Sequence, residues 1–552
     1  MNQLKTTASE DDSTMKKSSS DHWDVIVIGS GVGGLTAATA LSNLGKRVLV
    51  LEQHYLPGGW THTFALEGYK FSPGVHYVGQ LHEGGTTREI FEGLGVGGDI
   101  EFVELNPDGY DHIVFDDEIF DIPKGRDVFR DRLIARFPAE EKGIRKYFSL
   151  MQKVDRGIHL AADVTGLWSA LKLAFRVPAI IFKGLRPAGQ IIDSCISDSR
   201  LKTILESRAG DHGVAPCKVP FALHVAIDAH YWEGGWYPKG GGGAIPKAYI
   251  KRLQKNGSEI RTRTKVQNII LDDSAGKRTA VGVRLENGEE IRAAVVLSNA
   301  DAWITYKDLV GEANLSAKLA KRVNRLEPSV SALSLFIATD IDVDALGLDS
   351  GNYWIMNDSV DATYDLAEQN ELGGTDPFPG AFLTVTTKKD PQKQYDGAHT
   401  MEAFVFVSYA AFEEWQASEL GERPEAYDEL KQRLTNRMLA TLERVVPSLS
   451  DHLLLCELGT PLTNVHYVNA YRGNIYATAK TKTQIGPGAL PIETEIEGLF
   501  HCGQSTTAHG ILGAMMTGVS VASRISGCHR EQLLSFADAG RVACTKRQTV
   551  DV

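Results

Sequence analysis

Three side chains suited to acid–base chemistry stand in glycine-framed surroundings. His76 and Tyr77 lie within Gly74-Val75-His76-Tyr77-Val78-Gly79, and His509 lies within Ala508-His509-Gly510. Each can supply a proton or orient a reacting group, and each can equally serve as structural support for its turn. A fourth residue, Glu52, closes the apolar run Arg47-Val48-Leu49-Val50-Leu51. A carboxylate at the end of a buried strand can accept hydrogen bonds from sugar hydroxyls, and it repels a 2′-phosphate.

The placement of Glu52 depends on what precedes it. Asp24 to Ile28 reads as a buried strand, Gly29-Ser30-Gly31-Val32-Gly33-Gly34 as a glycine turn, and Leu35 to Leu41 as a helix. Gly29, Gly31 and Gly34 fit the G-x-G-x-x-G dinucleotide fingerprint. Gly29 permits a tight turn, Gly31 lets the backbone approach a pyrophosphate, and Gly34 lets the helix pack on the strand. The helix N-terminus then offers free N–H groups to the phosphates. An ordinary packing turn would not need the acid at the end of the second strand.

Beyond Glu52 come Gln53-His54 and then Gly58-Gly59-Trp60-Thr61. A paired glycine keeps the backbone thin beside a flat ring system, a need of flavoproteins with the two-dinucleotide-binding fold rather than of nicotinamide domains. Far along the chain, Leu499 to Gly503 reads as a strand, with Gln504 following and a small-residue helix beginning near Gly513-Ala514. This block is expected to reach the same cofactor. Gln504 stands where flavoproteins commonly carry an acid.

The chain has 552 residues, enough for two or more domains, with 43% hydrophobic and 23% charged residues. A net charge of −12 argues against general nucleic-acid binding. The six cysteines are scattered without metal-type spacing and read as reduced thiols, and no metal ligands are assigned. Residues 1–21 are polar, lack the apolar stretch of a secretory signal, and read as a disordered tail. No run of about 18 apolar residues suggests a membrane span.

The expected fold class is α/β: a Rossmann-type domain of discontinuous segments, plus a mixed α+β substrate domain with an antiparallel sheet and a helical cap. The cofactor domain takes residues 22–105, 226–311 and 461–530, and the substrate domain takes 106–225 and 312–460, with a tail over 531–552. Asp111 to Ile122 suggests a hairpin and Arg126 to Asp155 a strongly helical stretch. Gly166 to Gly189 combines apolar residues with Lys172, Arg176, Lys183 and Arg186 and has no acid. It reads as an in-plane membrane helix, a helical cap over the substrate site, or both.

Together these blocks resemble the phytoene desaturase superfamily of FAD-dependent oxidoreductases. The Gly74 to Gly79 block, with Tyr237-Pro238-Lys239-Gly240-Gly241, is similar to the branch of retinol saturases (all-trans-retinol 13,14-reductases) and carotenoid isomerases. The resemblance covers roughly residues 24–527. It implies that Gly29, Ser30, Gly31, Val32, Gly33 and Gly34 hold the FAD pyrophosphate, and that Glu52 and Gln53 lie at the adenosine ribose. It places Val266 at the adenine, Gly58, Gly59, Trp60 and Thr61 by the flavin, and Gly503, Gln504, Gly513 and Ala514 over the ribityl-pyrophosphate. Gln504 and Trp60 depart from the usual pattern.

The implied activity is saturation of a carbon–carbon double bond in a lipophilic isoprenoid polyene, retinol-like, with His76, Tyr77 or His509 as proton donor or orienting group. Carotenoid cis–trans isomerisation and phytoene-type desaturation are alternatives, and a non-catalytic, membrane-associated flavin redox sensor is a third reading. The implied partners are a polyene, a membrane surface on the cytoplasmic side, and an external electron donor that no motif specifies.

Overall fold

A computed structural model describes residues 22–162, 182–274, 276–357 and 359–547. The fingerprint region folds as β1 (His22–Ile28), α1 (Val32–Asn43) and β2 (Val48–Leu51). Parallel strands covered on both faces need apolar side chains at every position, which explains the unbroken Val/Ile/Leu runs. Val25, Val27, Val48 and Val50 enter one core layer, while Ile26, Ile28, Leu49 and Leu51 enter the layer on the opposite face.

This first sheet has seven strands. Glu259–Arg261, β2, β1, Glu290–Ser298 and Leu499–His501 run parallel, and the antiparallel pair Val266–Asp272 and Thr279–Leu285 extends it. Glu290–Ser298 is one nine-residue strand. Its first residues pair with Thr279–Leu285, and its last three pair with Leu499–His501 on the same edge. α1 is built of small residues and packs on the helix Gly510–Ser526. A Cβ on Gly518 would lie 2.4 Å from the Gly33 carbonyl oxygen, so the two helices meet where a side chain has no room.

The second sheet also has seven strands, in the order Leu453–Gly459, Ser331–Thr339, His399–Val407, Gly380–Val385, Asn352–Met356, Asp111–Val114 and Ile119–Ile122. All neighbours are antiparallel except Asn352–Met356 beside Asp111–Val114. Leu333, Leu335, Ile337, Met401, Ala403 and Val405 point to the back, under the helix Glu425–Leu442 with its Tyr427, Leu430, Leu434 and Met438 stripe. The alternate residues, Ala332, Ser334, Glu402 and Phe404, point to the front.

The helical stretch after Arg126 divides into Arg126–Arg136 and Glu141–Ala162, because Pro138 cannot continue the first helix. The expected tail beyond residue 530 is ordered through residue 547: Ala543–Thr545 adds a parallel strand to Glu101–Glu104, which also pairs with Trp236–Pro238. The membrane or cap segment Gly166 to Gly189 lies outside the described residues up to position 181.

Candidate functional site

One cavity runs between the two sheets. The first sheet and its loops bring Gly29, Gly31, Val32, Gly33, Glu52, Gln53, Gly58, Gly59, Trp60, Thr61, Val266, Gly503, Gln504 and Ala514 to its wall. The second sheet contributes Ala332, Ser334 and Phe404, and the segment after Tyr467 adds Ile475, Tyr476 and Ala477.

The cradle at the start of α1 follows from its sequence. Gly29 has φ +88°, a conformation open to glycine, and turns the chain off β1. A Cβ on Gly34 would sit 2.7 Å from the Gly29 carbonyl oxygen, so Gly34 serves helix–strand packing beneath the cavity wall. No side chain caps α1, and its first turn carries no acid, which leaves its first N–H groups for an anion. The helix Gly510–Ser526 repeats this arrangement: its first turn is without an acid, and Gly510, Ile511 and Ala514 line the cavity. Gly513 does not line it, because Ala508 fills the space beside it.

Asn299 ties these loops together. Cβ atoms on Gly31, Gly33 or Gly503 would lie 2.7, 2.9 and 2.7 Å from its side-chain atoms. The Cys502 thiol donates to its Oδ1 at 3.3 Å. Asn299 is not marked by any motif, although a polar residue just past a buried parallel strand is a ligand-facing position in this architecture.

Glu52 is 8% exposed. Its Oε2 accepts from the Ser30 N–H at 2.9 Å and the Ser30 hydroxyl at 2.5 Å, and its Oε1 accepts from the His54 N–H at 2.9 Å. Ser30 thus orients the carboxylate behind the wall, and its Oγ also accepts from the Gly58 N–H at 2.9 Å. Thr264, beside Val266, donates its N–H to the Glu52 carbonyl at 2.8 Å, which ties the Val266 strand to the end of β2. At the other end, the Gln504 carbonyl accepts from Lys480 Nζ at 2.6 Å. Lys480 is fully buried, and burial lowers its pKa to about 7. Asp301, at the cavity wall, accepts from Ser505, Asn474 and the Tyr471 N–H, and burial raises its pKa.

The three proton-donor candidates part company. His76 lines the cavity, its ring 4.9 Å from Phe382 and 5.7 Å from Phe404. Tyr77 leaves the opposite side of the chain and does not line the cavity. Its ring stacks on Tyr231 at 4.2 Å, and its hydroxyl donates to Asp211 at 2.7 Å and accepts from Arg208 at 3.0 Å. Burial holds the Tyr77 phenol well above its usual pKa. His509 packs edge-on to Tyr476 and donates from Nε2 to the His212 carbonyl at 3.0 Å. Burial lowers its pKa to about 4, so it is a neutral group already committed to a backbone acceptor. Neither Tyr77 nor His509 lines the cavity.

These residues fit a dinucleotide with a flat ring: two uncapped helix N-termini, glycines with no room for a side chain, and an oriented carboxylate. The chain is 30% identical over 542 residues to the all-trans-retinol 13,14-reductase of Danio rerio, covering 94% of this chain and 88% of that protein. It is 28% identical over 531 residues to a chloroplastic prolycopene isomerase of Daucus carota, covering 94% and 82%. A solved oxidoreductase from Methanosarcina mazei shares the fold, with a TM-score of 0.61 at 19% identity over 90% of this chain and 99% of that one. The model of the flavin-containing amine oxidoreductases matches residues 32–526. The cofactor is FAD, and the chain belongs to the family of flavin-containing amine oxidoreductases.

Proposed function

We propose that this protein reduces a carbon–carbon double bond of a lipophilic isoprenoid polyene, most closely a retinol-like one. The observation that carries the reading is the shared cavity. The antiparallel sheet sets Ala332, Ser334 and Phe404 opposite the glycine cradle, and Ile475, Tyr476 and Ala477 extend an apolar wall suited to a hydrocarbon chain. The name of the Danio rerio relative supports the substrate class. Bound FAD supplies two-electron transfer to or from carbon. Gly31 to Gly33 and the Gly510 helix N-terminus would hold its pyrophosphate, Glu52 its ribose, and Gly58 to Thr61 and Gly503-Gln504 its remaining length. Phe404 is an aromatic part of the cavity wall, backed by Phe382, which stacks on it at 4.6 Å, and by Trp354.

Anaerobic mixing of the reduced holoprotein with all-trans-retinol tests the proposal. Flavin reoxidation with a product heavier by two hydrogens is the expected result. An isomer of unchanged mass would move the reading to the isomerase chemistry named for the Daucus carota relative. No turnover with retinol or a carotenoid would leave the redox-sensor reading.

We also propose that the polyene is taken from a membrane surface. Phe182 and Leu185 are 70% and 52% exposed beside Lys183 and Arg186, a pairing suited to an anionic bilayer. No helix among the described residues is long and apolar enough to cross a membrane. The double variant Phe182→Asp, Leu185→Asp should lose co-sedimentation with anionic liposomes, and unchanged binding would remove this surface from the proposal.

A further inference from the structure

Behind His76, on the front face of the antiparallel sheet, stands a buried acid. Glu402, only 2% exposed, follows Met401 and precedes Ala403 in His399–Val407. Its Oε1 accepts from the Ser72 N–H at 2.8 Å, which fixes the rotation of the carboxylate. Its Oε2 then points at His76 Nδ1, 3.4 Å away. Both facing atoms are buried, and neither has a hydrogen-bond partner among the described residues. Two orphaned buried groups of opposite polarity at this distance are matched to each other, since each alone would bear an uncompensated desolvation cost.

The backbone of His76 is held as well. Lys389 Nζ donates to the His76 carbonyl at 2.7 Å and also binds the Asn352 side chain. Asn352 in turn donates to Asp111 at 2.8 Å, and Asp111 pairs with the buried Arg208. Lys389, Lys393, Tyr237 and Tyr395 are the other titratable groups among the described residues that feel the Glu402 charge. The cluster includes buried cations that tolerate a carboxylate there.

We infer that Glu402 is a positioning residue that fixes the His76 ring with its proton on Nδ1 and steadies the imidazolium, so that Nε2 delivers the proton in alkene reduction. The inference rests on the proposed polyene chemistry. Bound reduced FAD would supply the hydride, with its electron pair, to one alkene carbon, and His76 would supply the proton to the other. The Nε2–H bond breaks, the new C–H bond forms, and the ring is left neutral with Nδ1–H against Glu402. Solvent returns the proton afterwards. Histidine orientation by a buried carboxylate is worth a large part of acid–base catalysis wherever the tautomer matters.

Glu402→Gln separates this role from packing. The Ser72 N–H keeps an acceptor in the amide oxygen, so the amide nitrogen replaces Oε2 and offers a donor to Nδ1. The neutral ring must then carry its proton on Nε2. In the FAD-bound protein labelled with ¹⁵N-histidine, long-range ¹H–¹⁵N spectra should show His76 as the Nδ1–H tautomer in the native chain and as Nε2–H in Glu402→Gln. The His76→Gln variant, which removes the resonance, assigns it. In parallel, Glu402→Gln and His76→Gln should each slow reoxidation of the reduced protein by polyene by about 100-fold or more, with FAD absorbance and polyene KM retained. An unchanged tautomer, or full turnover in either variant, overturns the inference. A native protein that turns over no polyene overturns the proposed function instead, and the tautomer comparison still decides whether Glu402 orients His76.

Discussion

At the scale of single residues, Glu52 was legible because everything that defines it is consecutive: an apolar strand, its end, and an acid at the expected distance from the glycine turn. Its contribution is testable. Glu52→Ala removes an oriented carboxylate worth about 1.5–3 kcal/mol in charged hydrogen bonds. FAD affinity, read by quenching of flavin fluorescence on titration into apoprotein, should fall on the order of ten- to a hundredfold. Lys480 is the opposite case. In Thr478-Ala479-Lys480-Thr481-Lys482 it looks like a solvated lysine, yet it is 1% exposed and bound to the carbonyls of Gln504 and Thr506. Glu402 and Asn299 were equally hidden, because their meaning comes from partners far away in sequence.

Lys480 also gives a pH prediction with a definite sign. Burial depresses its pKa to about 7 in the fold, while an unfolded lysine titrates at about 10.4. Between these values the unfolded chain holds a proton that the folded chain has released. Stability therefore rises with pH across this window, by up to about 1.4 kcal/mol per pH unit for one such lysine. Lys389, also lowered to about 7 by burial, acts in the same direction. Urea unfolding of Lys480→Met at pH 7, 8 and 9 should show a slope shallower than that of the native chain by up to one proton. The level of stability will drop as well, since two carbonyls lose their donor, but an identical slope would mean that Lys480 is not buried in this way.

At the scale of elements, period and punctuation carried far. β1, α1, β2 and the Asp111 to Ile122 hairpin all follow from local pattern. The pairing of Leu499–His501 with the end of Glu290–Ser298 could be expected only through the cofactor logic, since three residues of strand hold no periodicity of their own. The close contact of α1 with Gly510–Ser526 yields a contrast between two core changes. Gly518→Leu forces a side chain against the Gly33 carbonyl and Thr36, and overpacking of this kind costs about 1–3 kcal/mol. Because Gly33 lines the cavity, the variant should lose FAD affinity as well as thermal stability. Leu434→Ala, in the layer behind the second sheet, should cost about 2–5 kcal/mol while FAD affinity of the folded fraction stays the same. Equal effects of the two variants on FAD binding would mean that the helix contact does not set the cradle.

At the scale of the whole molecule, six segments, residues 28–33, 51–62, 264–266, 299–309, 467–477 and 503–514, build one side of the cavity wall, with residues 73–76 and the antiparallel sheet closing the other side. None of these pieces can form the site alone, and most are loops whose order depends on their neighbours. FAD should therefore act as a cross-brace between distant parts of the chain. A ligand that binds only the folded state adds about 2.7 kcal/mol at a hundred times its dissociation constant, and here the gain is shared among six segments. Hydrogen exchange of apoprotein and holoprotein should show added protection in all six, including the 467–477 segment with its positive-φ residues Asn469, Arg472 and Ala477. The helix Glu425–Leu442 should change little, since the second sheet lies between it and the cavity. Protection confined to residues 28–62 would show that the C-terminal pieces are not part of the FAD site. In that case the glycine turn at the start of the chain would bind the dinucleotide by itself, and the distant strand and helix would serve only the core.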